Sequence, residues 1–277
     1  GNEVLRPERQ REFEFGADVG VLRNRLAVEA TYYRKKVTDL LLFRPLATST
    51  GYSNRFDNIG EMSNRGIELT VRSINVEKSW LRWATTVTYA RNRNRIERLV
   101  VSPFTLGYGN RVEEGQPVGF FYGAYYQRNP DGTIKVDALG RPLSSLADTT
   151  IPIEQRRRNI GDPNPDWLGS FINEFQIGGR LRLRVQLDGS FGNDVLNFTR
   201  RILDRFGTGE EAARELLPIP DPNRLPTGTM VARFGIFEEY VEDGSYVKLR
   251  EVSLTYRLAD RLARRFGANS AEVTLAG

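Results

Sequence analysis

Apolar and polar residues alternate one by one in several stretches of this chain, most regularly between residues 67 and 90. Every second residue is apolar from Ile67 to Arg72, and the same alternation returns from Leu81 to Ala90. A period of two predicts β-strands with one apolar and one polar face. The short polar stretch Asn75–Ser79 between them predicts a hairpin turn. Such a sheet buries its apolar face against a second sheet, against helices or against lipid.

The same alternation predicts further strands on both sides of this hairpin. The predicted strands are residues 11–21, 26–43, 56–73, 80–98, 168–177, 181–191, 246–258 and 271–276. Besides the hairpin turn above, three short connections are predicted at Leu22–Arg25, Gly178–Gly179 and Ala259–Asn269. The remaining connections are longer and are rich in glycine, proline, serine or asparagine, which is typical of loops.

The connections between these strands alternate in length. In chain order they hold about 4, 12, 6, 68, 2, 50 and 11 residues. The two longest are loops of about residues 100–166 and 193–244. Outer-membrane barrels have short periplasmic turns and long extracellular loops, and lipid tolerates strands only in a closed barrel. The pattern predicts an all-β fold: an antiparallel up-and-down transmembrane β-barrel, here a partial barrel of about eight or nine strands with long extracellular loops.

Two other architectures remain open from the residues alone. A complete eight-stranded outer-membrane barrel with a structural or adhesion role would have a similar number of strands. A soluble β-sandwich that binds carbohydrate would bury the apolar face against a second sheet.

Composition excludes several classes of function. The chain has 277 residues without cysteine or histidine, which removes thiolate nucleophiles, Cys- or His-ligated zinc and histidine-based triads. The acidic pairs Glu113–Glu114 and Glu238–Glu239 make poor acid/base partners, because adjacent strand residues point to opposite faces. The net charge of +5 is spread along the strands and forms no nucleic-acid stripe. We expect no enzyme, no catalytic residue, no cofactor, no metal and no nucleic-acid partner.

Six phrases of the sequence carry a family resemblance. They are LRPERQREFEFGADVGVLRNRLAVEATYYRKKVTDLLL (5–42), SNRFDNIGEMSNRGIELTV (53–71), EGQPVGFFYG (114–123), IGDPNPDW (160–167), DGSFGNDVLNFTRR (188–201) and DGSYVKLREVSLTYRL (243–258). In this order the chain resembles the C-terminal barrel part of a TonB-dependent outer-membrane receptor of the SusC/RagA type.

The resemblance implies a transporter in the outer membrane of a Gram-negative bacterium. Such receptors have a barrel of about 22 strands filled by a plug, and they take up a bulky nutrient, an oligosaccharide or a peptide. Their partners are outer-membrane lipids, a SusD-like surface lipoprotein and TonB. Residues 1–277 are expected to be one piece of the barrel wall, with the plug, the TonB-contacting segment and the export signal elsewhere in a longer polypeptide.

Two sets of residues are candidates for function. Aromatic faces stack well on sugar rings, so a loop cluster is a candidate ligand site: Phe121, Tyr122, Tyr125 and Tyr126. The favoured alternative is that this cluster packs the loop against the barrel wall. The apolar side of the strands is predicted to face the membrane: Leu69, Val71, Trp83, Val87, Tyr89, Leu183, Val185 and Leu254. The opposite side is predicted to face the barrel interior: Glu68, Arg72, Arg82, Arg182, Arg184 and Gln186.

Overall fold

The protein is described by a computed structural model that covers residues 2–277. The strands are, in chain order, β1 (Arg9–Val21), β2 (Leu26–Pro45), β3 (Asn54–Glu77), β4 (Leu81–Leu99), β5 (Phe104–Gly107), β6 (Asn110–Val112), β7 (Phe120–Gly123), β8 (Arg158–Gly161), β9 (Trp167–Ile177), β10 (Leu181–Phe191), β11 (Asp194–Leu196), β12 (Val241–Asp243), β13 (Tyr246–Arg257) and β14 (Glu272–Ala276). The α-helices are α1 (Phe198–Phe206), α2 (Glu210–Ala213), α3 (Thr229–Phe234) and α4 (Asp260–Arg265). Short 3-10 turns lie at Thr48–Thr50, Ser145–Ala147, Ile153–Gln155, Arg214–Leu216 and Phe237–Tyr240. The longest helix in the described part has nine residues, and no helix there could span a bilayer.

Eight long strands form one antiparallel sheet in the order β1-β2-β3-β4-β9-β10-β13-β14. Each strand pairs with the next one along this order, so the sheet is an up-and-down arrangement. Within residues 2–277, β1 pairs only with β2 and β14 only with β13. A closed eight-stranded barrel needs β1 to pair with β14, so that alternative is wrong for the described residues.

The four predicted short connections share one end of the sheet, which we call the turn end. The three predicted longer ones share the opposite end, the loop end, because consecutive strands run antiparallel. Gly178 and Gly179 have φ values of 58° and 70°, a left-handed pair that glycine adopts readily in tight hairpins. Several strand boundaries differ from the prediction by one or two residues. The largest difference is at the end of β3, which continues to Glu77, so the hairpin turn covers only Lys78–Trp80.

The two longest connections are folded, whereas the alternation of residues predicted only irregular loops there. Residues 100–166 contain the four-stranded sheet β5–β8, and residues 192–245 contain α1, α2, α3 and the β11–β12 pair. Between α1 and α3, α2 is followed directly by the 3-10 turn Arg214–Leu216. We call these two folded connections together the loop cap.

A buried cluster joins the loop cap to the sheet. Val37 of β2 and Ile96 of β4 both stand opposite Met62 of β3 toward the loop end, and Phe104 and Val112 of the cap pack with them. Ile96 and Val112 are completely buried. The cap therefore packs against the same side of the sheet as the predicted interior residues, because Val37 and Ile96 share that side by register.

Candidate functional site: an apolar sheet face and a loop cap

The strand register puts apolar residues from all parts of the sheet on one face, which we call the apolar face. Residues paired directly across an antiparallel ladder have side chains on the same side. One such row crosses seven strands without a polar residue: Val19, Val28, Val71, Val87, Phe171, Leu187 and Leu249. The apolar face is thus continuous across seven strands, although the sequence shows the alternation only within each strand separately.

All eight residues predicted to face the membrane lie on this face. Leu69 pairs with Tyr89, Val71 with Val87 and Leu183 with Leu254, while Trp83 and Val185 occupy the same side of β4 and β10. The residues predicted for the interior lie on the opposite side, the polar face: Glu68, Arg72, Arg82, Arg182, Arg184 and Gln186.

The apolar face is open across the sheet. Phe15 of β1 is 67% exposed, Phe171 of β9 is 45% exposed and Leu249 of β13 is 62% exposed. A soluble β-sandwich buries the inner face of each sheet against the other. This sheet does not do so, and the sandwich alternative therefore fails in the described residues.

Aromatic residues form two belts on the apolar face. At its loop end Trp167 stacks between Tyr89 and Phe191, with ring-centroid distances of 5.9 and 4.1 Å. Toward the turn end Trp83 stacks on Phe175 at 5.5 Å. Two such girdles with aliphatic residues between them are the surface pattern of an outer-membrane barrel.

Glycines make room for the belt at the loop end. A Cβ added to Gly189 would lie 2.5 Å from the ring of Phe191, and one added to Gly169 would lie 3.2 Å from the ring of Trp167. Both rings therefore lean over glycines two positions away on their own strands. No larger residue leaves this space, which explains glycine near the loop ends of two otherwise regular strands.

The polar face carries a network of charges across β9, β10 and β13. Arg184 lies 3.1 Å from Glu174 and 3.1 Å from Glu251, and it also donates to Gln186. Gln186 donates to Asp188, whose other oxygen lies 2.8 Å from Arg250. These side chains are partly exposed, as expected for a wet surface rather than a core.

Two adjacent carboxylates hold the two halves of the loop cap together. Glu238 accepts from the backbone N–H of Tyr126 at 2.8 Å and lies 3.2 Å from Arg158. Glu239 accepts from the Tyr126 hydroxyl and pairs with Arg200. Both acids sit on a 3-10 turn rather than a strand, and both are occupied by contacts to the cap. These contacts join the two connections of the cap to each other.

The predicted ligand-binding aromatic residues separate into two pairs. Phe121 and Tyr126 are 6% and 5% exposed, so their rings belong to the interior of the cap and cannot present a face to a ligand. Phe121 and Tyr126 therefore pack the interior of the loop cap, as in the alternative interpretation of this cluster. Tyr122 and Tyr125 are half-buried, and a guanidinium covers one face of each ring: Arg111 at 3.9 Å and Arg158 at 4.0 Å.

Burial perturbs the titration of the groups inside the cap. Burial and the Glu239 hydrogen bond raise the pKa of Tyr126. Burial, followed by the charge of Asp204, raises the pKa of Tyr240, which is completely buried and donates to Asp204 at 3.0 Å. Burial also raises the pKa of Asp204. The cap therefore holds these hydroxyl protons more tightly than an unfolded chain does.

Sequence reasoning missed α1, which supplies Arg200 and Asp204 to the cap. A signal for it was present: Asn197 caps the N-terminus by accepting from the backbone N–H of Arg200 at 2.9 Å, and Gly207 ends the helix with a left-handed φ of 65°. Asparagine before and glycine after an amphipathic stretch is the usual helix boundary pattern. The contacts of Glu238 and Glu239 had no such local signal.

Comparison with known proteins decides the family. Residues 1–146 match the model of a family described as TonB dependent receptor-like, beta-barrel. That is more than half of the 277 residues. The chain belongs to the TonB-dependent receptor β-barrel family. The resemblance inferred from the sequence phrases is thereby confirmed.

Curated relatives carry the same family name. Over its whole length the chain is 28% identical to TonB-dependent receptor P3 and 26% identical to TonB-dependent receptor P26, both from Formosa agariphila. The chain spans 30% of the length of each of these relatives.

Solved structures show the same fold. The chain superposes on the RagAB peptide transporter with a TM-score of 0.75 at 23% identity, over 97% of this chain and 31% of that one. The RagAB peptide importer in the "open-open" state gives a TM-score of 0.75 at 22% identity, over 100% of this chain and 31% of that one. The predicted fold class, an all-β antiparallel partial barrel, is confirmed.

Proposed function

We propose that this chain is a wall of an outer-membrane active transporter in a Gram-negative bacterium. In this proposal the apolar face contacts lipid, the polar face lines the barrel, and the loop cap lies outside the cell. The observation that carries the proposal is the uncovered apolar row from Val19 to Leu249 across seven neighbouring strands. In water such a surface is unfavourable, whereas in a bilayer it is the expected one.

Strand dimensions support the membrane orientation. β9 and β10 each have eleven residues. Their first and last residues are ten steps apart, which at about 3.3 Å per step is about 33 Å. Tilted by about 40°, they cover about 25 Å along the membrane normal, which matches the apolar band of outer-membrane barrels.

The transported molecule in this proposal is a bulky nutrient of the oligosaccharide or peptide class. The SusC/RagA resemblance and the RagAB structures, described as a peptide transporter, support that class. The partners would be a SusD-like lipoprotein over the loop cap and TonB at the periplasmic side. Of the candidate ligand residues, Tyr122 and Tyr125 retain partly exposed rings for contact with the nutrient.

Cysteine labelling tests the membrane orientation, since the chain has no cysteine of its own. Leu187→Cys and Gln186→Cys are a matched pair, because the two residues are neighbours on β10 and face opposite sides. In the full-length protein in a bilayer, Leu187→Cys is expected to react with a lipid-partitioning maleimide and to resist a charged one. Gln186→Cys is expected to show the reverse preference. The same preference at both positions would contradict a lipid-facing side.

Uptake measurements test the ligand residues separately. Tyr122→Ala and Tyr125→Ala in the full-length protein are expected to reduce uptake of a labelled peptide or oligosaccharide. Tyr52→Ala serves as the control, because Tyr52 is a loop tyrosine, 72% exposed, that lies outside the cap. Equal uptake by all three variants and the parent would remove Tyr122 and Tyr125 from the ligand site.

A further inference from the structure

Three arginines stand side by side on the apolar-face side of the sheet, just beyond the end of the apolar residues. Arg34 of β2 pairs directly with Arg65 of β3, and Arg65 pairs directly with Arg93 of β4. All three side chains are exposed. We call them the arginine row. Like charges directly opposite one another destabilise a sheet, so a negatively charged group beside these arginines would stabilise it.

The protein itself supplies little of that negative charge. Arg93 lies 3.4 Å from Asp166, an exposed pair that is worth little in water. Within residues 2–277, Arg34, Arg65 and the neighbouring Arg91 make no ion pair within 4.0 Å. Their guanidinium groups are therefore available to an external anion.

Two adjoining cavities lie between these side chains. The smaller, of about 240 Å³, is lined by Tyr32, Ile67 and three arginines (Arg65, Arg91 and Arg93), and its lining contains no carboxylate. It thus combines an apolar floor with cationic walls. Such a lining fits a molecule that is anionic at one end and apolar at the other.

The larger cavity, of about 510 Å³, shares Tyr32, Arg65 and Arg93 with the smaller one and adds Arg34 and Arg95. It also contains the carboxylates Glu97, Asp162 and Asp166. These acids are engaged: Glu97 accepts from Ser63, Asp162 from the backbone N–H of Asn164 at 2.9 Å, and Asp166 pairs with Arg93. The larger cavity contains these acids and the smaller one contains none. The smaller cavity, next to the apolar face, is therefore the more cationic part of the site.

The position of the arginine row relative to the aromatic belt identifies the occupant. Arg91 and Arg93 follow Tyr89 on the same side of β4, at two and four residues beyond the belt. Given the membrane orientation of the proposed function, on which this inference rests, that is the depth of lipid headgroups. We propose that the arginine row binds the phosphates of an outer-leaflet lipid, whose acyl chains lie on the apolar face below it. Guanidinium groups bind phosphate through paired hydrogen bonds, which favours arginine over lysine at such a site.

Lipid A retention tests this proposal. The full-length protein would be stripped of lipid in detergent, incubated with lipid A and analysed by native mass spectrometry. The triple variant Arg34→Gln, Arg65→Gln and Arg93→Gln is expected to bind lipid A at least about tenfold more weakly. The control removes three polar-face charges, Arg72→Gln, Arg82→Gln and Arg182→Gln, and is expected to bind within about twofold of the parent, because those side chains face away from the site.

Further measurements distinguish lipid phosphate from free phosphate and test whether a variant still folds. Lipid A lacking one phosphate is expected to bind more weakly to the parent than the doubly phosphorylated form. Inorganic phosphate is expected not to displace bound lipid. Full displacement would show that the site binds free anions rather than a lipid. Arg65→Lys keeps the charge, so it should fold normally and retain intermediate binding.

Two results would overturn the inference: equal lipid A binding by the arginine-row variant and the parent, or equal loss in the polar-face control. The labelling of Leu187→Cys reports separately on the membrane orientation. Loss of lipid-side labelling would reject the proposed function itself, whereas normal labelling with unchanged lipid A binding would reject only the arginine site.

Discussion

The sheet and the loop cap contain comparable stretches of chain but are held together in different ways. In the sheet, neighbours along the ladder are mostly neighbours in the chain order, and one face is apolar over its whole breadth. In the cap, Glu238 and Glu239 contact Tyr126 from more than a hundred residues away. The wall therefore depends on a repeated local pattern, while the cap depends on polar contacts between residues that are distant in the chain.

The largest expected effect breaks the apolar face in its middle. Val87→Arg would place a charge in the row that runs midway between the aromatic belts, at a cost of about 2–4 kcal/mol, whereas an arginine near the interface costs about 0–1 kcal/mol. Leu183→Arg, in the row of Trp83 and Phe175, should therefore be tolerated better. Folding into lipid vesicles followed by urea titration measures both.

Thr88→Arg is the matched control for Val87→Arg, because Thr88 is the next residue and lies on the polar face. It should leave the free energy of unfolding in vesicles nearly unchanged. Equal losses of unfolding free energy for Val87→Arg and Thr88→Arg would mean that the two faces of the sheet do not lie in different solvents.

The next prediction breaks the cap and leaves the sheet intact. Glu238→Ala removes the acceptor of the Tyr126 N–H and the partner of Arg158, and it should destabilise the closed cap by about 1–2 kcal/mol. Protease cleavage in residues 100–166 should then become about 5–30-fold faster. Glu154→Ala, an exposed acid in the same connection, should change cleavage little. If cleavage of the sheet strands accelerated equally, cap and sheet would be one cooperative unit.

A third change tests the packing of the aromatic belt at the loop end of the wall. Gly189→Val would put a Cβ 2.5 Å from the Phe191 ring and should displace that ring from its stack on Trp167, at a cost of about 1–3 kcal/mol. Trp167 fluorescence reports the displacement. Gly16→Ala, whose added Cβ would meet its nearest neighbour at an ordinary 3.5 Å, should have little effect. An unchanged spectrum in Gly189→Val would show that the belt adjusts without strain.

The smallest effect is a pH dependence confined to the cap. Tyr126 and Tyr240 have raised pKa values when folded, so the unfolded chain releases their protons first as pH rises above about 10. The stability that they contribute is fully present below that pH and is lost above it. Tyrosinate absorbance should show late-titrating groups that disappear in Tyr126→Phe combined with Tyr240→Phe. Ordinary titration of every tyrosine in the parent would contradict the burial effect.

The strands of the wall were predictable because each needs only its own residues. The alternation from Ile67 to Arg72 indicates which side of β3 is apolar, and Gly178–Gly179 indicates a tight turn whatever follows it. In the cap, β5 to β8 are three or four residues long, too short for a period to be recognised. For the aromatic cluster, packing was the favoured interpretation, but the sequence did not indicate which rings are buried, as Phe121 and Tyr126 are.

By itself the sequence determined the strands, their two unlike faces and the short turns, because a side-chain period of two follows from the geometry of an extended chain. It also determined the family, through phrases that match in order. Only the tertiary structure decided which residues of different strands stand opposite each other. Register between strands depends on turns and bulges that add or remove single residues, as between Ile74 and Val76 of β3. That register aligned Arg34, Arg65 and Arg93 in one row, and long-range packing placed Glu238 beside Tyr126.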